Sequence, residues 1–103
     1  MYPGSKESFE LVKEILLKSI PFDISVKKQQ QDNVLIVMTS EMALVFLNDV
    51  ALNFLSLCNG KKTVNDIISS LLEIYDTDFQ TLSDDIVMLI RDLQTKRIIY
   101  VEC

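Results

Sequence analysis

Phe46-Leu47-Asn48-Asp49-Val50-Ala51 carries an apolar strand straight into a helix start, and the reading of this stretch decides the fold. Asn48 or Asp49 offers a side-chain acceptor to the free amides of that helix. Val50, Leu52, Phe54, Leu55 and Leu57 make it almost wholly apolar, which predicts burial. Asn59-Gly60 follows, a pair that tolerates positive φ, and ends the helix before Lys61-Lys62. Thr63 caps a second helix with Asp66 three residues on, close to a capping box, and Val64, Ile67, Ile68, Leu71, Leu72 and Tyr75 mark its buried side up to about Asp76. A third helix starts within 80–83 and runs to about Lys96, with Leu82, Ile86, Leu89, Ile90 and Leu93 on one stripe. Ile98 to Val101 returns as a short strand.

Upstream, Met42 to Leu47 and Val34 to Met38 are short, bulky or β-branched segments separated by Thr39-Ser40-Glu41, which predicts a hairpin. Lys27 to Asn33 is uniformly polar and reads as a solvated hairpin loop. Phe22 to Val26 alternates with period two and reads as the first strand. Before it, Ser5 caps a helix over about 5–20, with Phe9, Val12, Ile15, Leu16 and Ile20 at helical spacing, Glu7 and Glu10 near its positive end, and Pro21 as its stop. The expectation is an α+β, winged-helix-like fold: an N-terminal helix, a three-stranded antiparallel meander, three helices and a short C-terminal strand.

Composition narrows the function. At 103 residues and 49% hydrophobic content, residues 1–103 are expected to form one domain that buries roughly two-thirds of its unfolded surface. The formal charge of −5 sets the average field against a nucleic acid. The apolar runs are far shorter than the roughly 20 residues that span a bilayer, so no membrane partner is expected. Met1 to Glu7 shows no secretory pattern, and a cytoplasmic location is the default. Cys58 and Cys103 form no CxxC pair and histidine is absent, which removes the usual zinc spacings and any histidine-dependent triad. Cys58 reads as a small buried hydrophobe. Gly4 and Gly60 cannot form a phosphate loop, and Asp84-Asp85 are adjacent rather than facing, so neither catalysis nor a cofactor is expected.

The ordered set Phe46 to Ala51, Leu55 to Ile67, Tyr75-Asp76 and Asp85 to Leu93 resembles the PqqD-like family across about positions 43 to 100. Members of that family are peptide chaperones, or RiPP recognition elements, which present the leader segment of a ribosomal precursor peptide to a modifying enzyme. The resemblance therefore implies a non-catalytic leader-binding function, with a radical SAM or other maturation enzyme as partner. Two departures stand out: Arg97 occupies the place of the family's usual glycine after the last helix, and the N-terminal helix is additional.

A strand apolar throughout Met42 to Leu47 needs cover on both faces, whereas a small meander leaves a face or edge open; an extended peptide can fill that edge by adding a strand. The expected binding residues are Met42, Leu44, Val45, Phe46 and Leu47 on the strand. They are joined by Asp85, Met88, Leu89, Asp92 and Lys96 on the last helix, where Met88 adapts to apolar groups and Asp85 and Asp92 can pair with a basic leader residue. The N-terminal helix either packs over the sheet, mimics a ligand, or exchanges with a second copy to make a homodimer. A winged-helix DNA-binding regulator is the alternative, opposed by a last helix that offers only Arg91, Lys96 and Arg97 against Asp84, Asp85 and Asp92.

Overall fold

The computed structural model describes residues 5–102. The side chains of Ser5 and Glu7, expected at the start of the first helix, and Cys103 lie outside the described residues. Helix α1 (Ser5–Leu17) leads into β1 (Ile20–Asp23); β2 (Lys27–Gln31), β3 (Val34–Met38) and β4 (Leu44–Leu47) follow. Then come α2 (Asp49–Ser56), α3 (Val64–Leu71), α4 (Phe79–Thr95) and β5 (Ile99–Glu102). This is the expected α+β order, with the strands assigned differently in the first third.

The meander is β2-β3-β4, not a set beginning at Phe22. Lys27 to Gln31, expected as loop, is a strand whose five residues are all exposed. An outer strand with nothing packed on either face needs no apolar alternation; its ladder to β3 is enough, and lysine at such an edge discourages further pairing. The connection is only Asp32-Asn33, with Asp32 at φ +55° and Gln31 opposite Val34. The strand expected over Phe22 to Val26 is Ile20–Asp23 instead, antiparallel to β5 in a separate two-stranded sheet. Its other side meets the Asn59-Gly60 turn through a bridge from Phe22 to Asn59. Gly60 has φ +80°, and an added Cβ would lie 2.5 Å from the Phe22 ring, so glycine is required by both backbone and space.

Capping fixes where the helices begin. Asn48 Oδ1 accepts from the Ala51 amide at 3.0 Å, Thr63 and Asp66 form a complete capping box, and Asp78 accepts from the Thr81 amide at 2.7 Å. Helix α3 ends at Leu71, short of Asp76, although Tyr75 N–H still donates to Leu71 O. The Tyr75 hydroxyl accepts from Asn53 Nδ2 and donates to Asp49 Oδ2, tying this turn to α2. The core joins Leu35, Val37 and Leu47 of the meander to Phe54, Leu55, Ile67, Ile68, Leu71, Ile86, Ile90, Leu93 and Ile98. Cys58 sits there as expected: it donates to Phe54 O at 3.3 Å, and burial, with Asp23 nearby, pushes its thiol up to about 12.

Helix α1 ends at Leu17, before Pro21, and Ile15, expected on the buried side, is half exposed. Leu16 is its buried anchor, and Lys13 pairs with Asp84 at 2.7 Å. The helix thus lies against α3 and α4 rather than over the sheet.

Candidate functional site

The meander has two edges, and they are opposite in character. Edge β2 reads Lys-Lys-Gln-Gln-Gln; edge β4 reads Leu-Val-Phe-Leu and, among the described residues, pairs with β3 alone. The parity of the β3–β4 ladder shows what that free edge presents. Thr39 N–H donates to Ala43 O at 2.9 Å, so residues 39 and 43 are a hydrogen-bonded pair. Alternation along an antiparallel ladder then makes Val45 with Val37, and Leu47 with Leu35, the bonded pairs. The N–H and C=O groups of Leu44 and Phe46 consequently point away from the sheet, two donors and two acceptors on an unpaired margin.

Side chains alternate across the same strand. Leu47 is buried in the core and Val45 is partly buried against it, whereas Leu44 is 58% and Phe46 67% exposed. The outer face, which also carries the partly buried Ile36 and Met38, has no helix over it. This is the open face that a small meander is expected to leave. Met42 is corrected: it lies outside β4, at the hairpin tip, with φ +63° and its side chain 77% exposed.

Helix α4 carries the other expected binding residues. Its buried stripe is Leu82, Ser83, Ile86, Val87, Ile90 and Leu93. At about 100° per residue, Asp85, Leu89, Asp92 and Lys96 share one flank of that stripe, with Met88 at its outer rim. Asp84, held by Lys13, belongs to the other flank, where α1 packs. Leu89 is partly buried against the core and Met88 is 64% exposed. Just past the C-terminal end of α4, Arg97 Nε reaches Glu41 Oε1 of the β3–β4 hairpin at 3.7 Å, with both side chains largely exposed. The helix closes in a Schellman pattern: Ile98 N–H donates to Leu93 O, Arg97 N–H to Gln94 O, and Arg97 takes φ +59°, the conformation a glycine would adopt without strain. Arg97 therefore replaces glycine without altering the exit.

The charged groups are not equivalent. Asp92 accepts from Lys96 at 2.8 Å and Asp84 from Lys13, while Asp85 has no hydrogen bond or ion pair among the described residues. Two hollows lie elsewhere on the meander. One of about 290 Å³ lies between β2 and α2, lined by Lys28, Gln30, Leu35, Leu52, Leu55 and Ser56; one of about 280 Å³ reaches Ile36, Met38 and Leu44. Neither includes an α4 residue. Among the described residues no group of three or more Cys, Asp or Glu is placed to hold a metal, and no helix is long and apolar enough to cross a membrane.

Leu44, Val45 and Phe46 fall on β4, and Asp85, Met88, Leu89, Asp92 and Lys96 on one side of α4; the sequence reading did not single out the Glu41–Arg97 pair or the open-face residues Ile36 and Met38. The strict alternation of Val34 to Met38 about buried Leu35 and Val37 was the available signal for the last two.

A search of curated proteins found no match. The chain is similar in fold to a solved structure described as TbiB1 in complex with the TbiA(beta) leader peptide, with TM-score 0.68 at 19% identity, covering 76% of this chain and 92% of that one. The family model described as Coenzyme PQQ synthesis protein D (PqqD) matches residues 35–99, more than half the chain and all of β4 and α4, and the chain belongs to that family.

Proposed function

We propose that this chain is a non-catalytic recognition module that holds the leader segment of a ribosomal precursor peptide as an added strand on β4 and presents it to a modifying enzyme. The carrying observation is the margin of Leu44 and Phe46, which is unpaired among the described residues. An added strand meets up to four backbone hydrogen-bonding groups there, and its alternate side chains fall on Val45 and Leu89 on one side and Leu44 and Phe46 on the other. Met88 and Asp92 border the added strand, Lys96 neutralises Asp92, and Met42 and Leu47 contribute at the tip and beneath the floor. The solved relative that carries a leader peptide supports the same reading.

On this reading the enzyme served is a radical SAM or other maturation enzyme of the cytoplasm, and residues 1–103 act as one binding domain. A homodimer by exchange of α1 has less support than the monomer, because α1 packs on its own α3 and α4. The DNA-binding reading loses ground for a related reason: of the three cations at the end of α4, Lys96 and Arg97 already face acids. Titrating a fluorescent leader peptide from a neighbouring gene is expected to saturate and to slow hydrogen exchange at the Leu44 and Phe46 amides. No saturation up to about 100 μM, with exchange at both amides unchanged, would discard the proposal.

A further inference from the structure

We propose that the peptide accepted at the β4 margin is cationic on its groove side, with an apolar residue over Leu89 and, two residues away, a lysine or arginine paired with Asp85. The inference rests on the reading of this margin as a peptide site and adds the chemistry of the occupant.

Ion pairing separates the three acids of α4. Asp84 is held by Lys13 on the α1 flank, and Asp92 is held by Lys96. Asp85 alone of the three is without a partner among the described residues, and it shares one flank of α4 with Leu89. The spacing suits an extended chain. Asp85 and Leu89 are four residues apart on a helix, about 6 Å along its axis, and same-side residues of a strand repeat at about 6.6 Å. Successive inward side chains of an added strand therefore meet Leu89 and Asp85 in turn.

The wider field favours the same occupant. Glu41 and Asp49 flank the two ends of β4, whereas Lys27 and Lys28 lie across the sheet on β2. The cations at the end of α4, Lys96 and Arg97, are matched to Asp92 and Glu41. A second copy of this chain would bring its own −5 charge and the same acids to the margin, and an acidic peptide would meet the same repulsion.

The test uses the whole chain and two fluorescein-labelled twelve-residue peptides. Each has valine at the outward positions, leucine at one inward position and either lysine or glutamate at the next. Anisotropy titrations are expected to show the lysine peptide about tenfold tighter at low salt, a preference that shrinks as ionic strength rises. Asp85→Asn should cut that preference to about twofold, and Asp85→Lys should reverse it; circular dichroism confirms that the exposed substitution leaves the fold unchanged. Equal binding of the two peptides, or a preference untouched by Asp85→Asn, would overturn the cationic assignment while leaving strand addition standing. Failure of both peptides to bind would overturn both.

Discussion

Replacing Phe46 by proline separates the margin from the fold that carries it. Phe46 sits opposite Ile36 in a non-hydrogen-bonded pair, so its N–H gives nothing to β3 and points to the open edge. Proline is tolerated in an edge strand at such a position, and its demand for extended backbone at the preceding residue is met because Val45 is already in β4. The folded chain should lose little, within about 1 kcal/mol. An incoming strand, however, loses one of the donors that hold it and meets a pyrrolidine ring where the N–H had been. At about 0.5–1.5 kcal/mol per net hydrogen bond, a leader peptide should bind about two- to thirteenfold more weakly from the lost donor alone. Phe46→Ala is the necessary control, because it removes the ring and keeps the amide. Val45→Pro is the contrast: that residue bonds to Val37, and losing the ladder bond should destabilise the chain by about 3 kcal/mol or more. Anisotropy titration with a saturating leader peptide gives the affinities, and thermal melts report the fold. If Phe46→Pro melts like the parent and binds as well as Phe46→Ala, the peptide does not pair with β4 and the reasoning fails.

Gly60→Ala forces a left-handed backbone on a residue with a Cβ and drives that atom into the Phe22 ring, so a denaturant melt should show a loss of about 2 kcal/mol; an unchanged midpoint would contradict the close approach. Arg97→Gly should instead raise the melting temperature by about 3 °C, because it relieves the left-handed strain and gives up only a Glu41 pair in which both partners are largely exposed; a lower melting temperature would count against the Schellman exit. The Thr81 backbone amide, and then its hydroxyl, hold the Asp78 carboxyl below the usual aspartate value. A lowered folded-state value means that this stabilisation is present above the unfolded-state pKa and is lost as pH falls through the folded one. Asp78→Asn should therefore flatten part of the acid limb of a stability-versus-pH curve, and an identical limb would remove the cap from the account.

The C-terminal two-thirds was legible because local and tertiary demands agree there. Asn48 and Thr63 cap where their side chains predict, Gly60 takes positive φ, and the stripe from Leu82 to Leu93 faces the core apart from Leu89 at its margin. The first third was misread because its pairing is not local. Phe22 shows alternation, but what β1 pairs with lies almost eighty residues away at β5, and no short-range pattern encodes that. The Arg97–Glu41 contact is invisible for the same reason.

The most useful misreading is the polar one. Lys27 to Gln31 looked like a loop because edge defence and loop solvation draw on the same residues, lysine and glutamine. Once the segment is a strand, the meander has two free edges, and their compositions can be compared. The β2 edge carries the lysines that resist a further strand, while the Leu44–Leu47 edge carries no lysine, proline or bulge, and exposes two large apolar side chains. A sheet that defends one edge and leaves the other sticky has directed its pairing capacity to one side. That asymmetry, rather than any motif, is what the proposed site rests on.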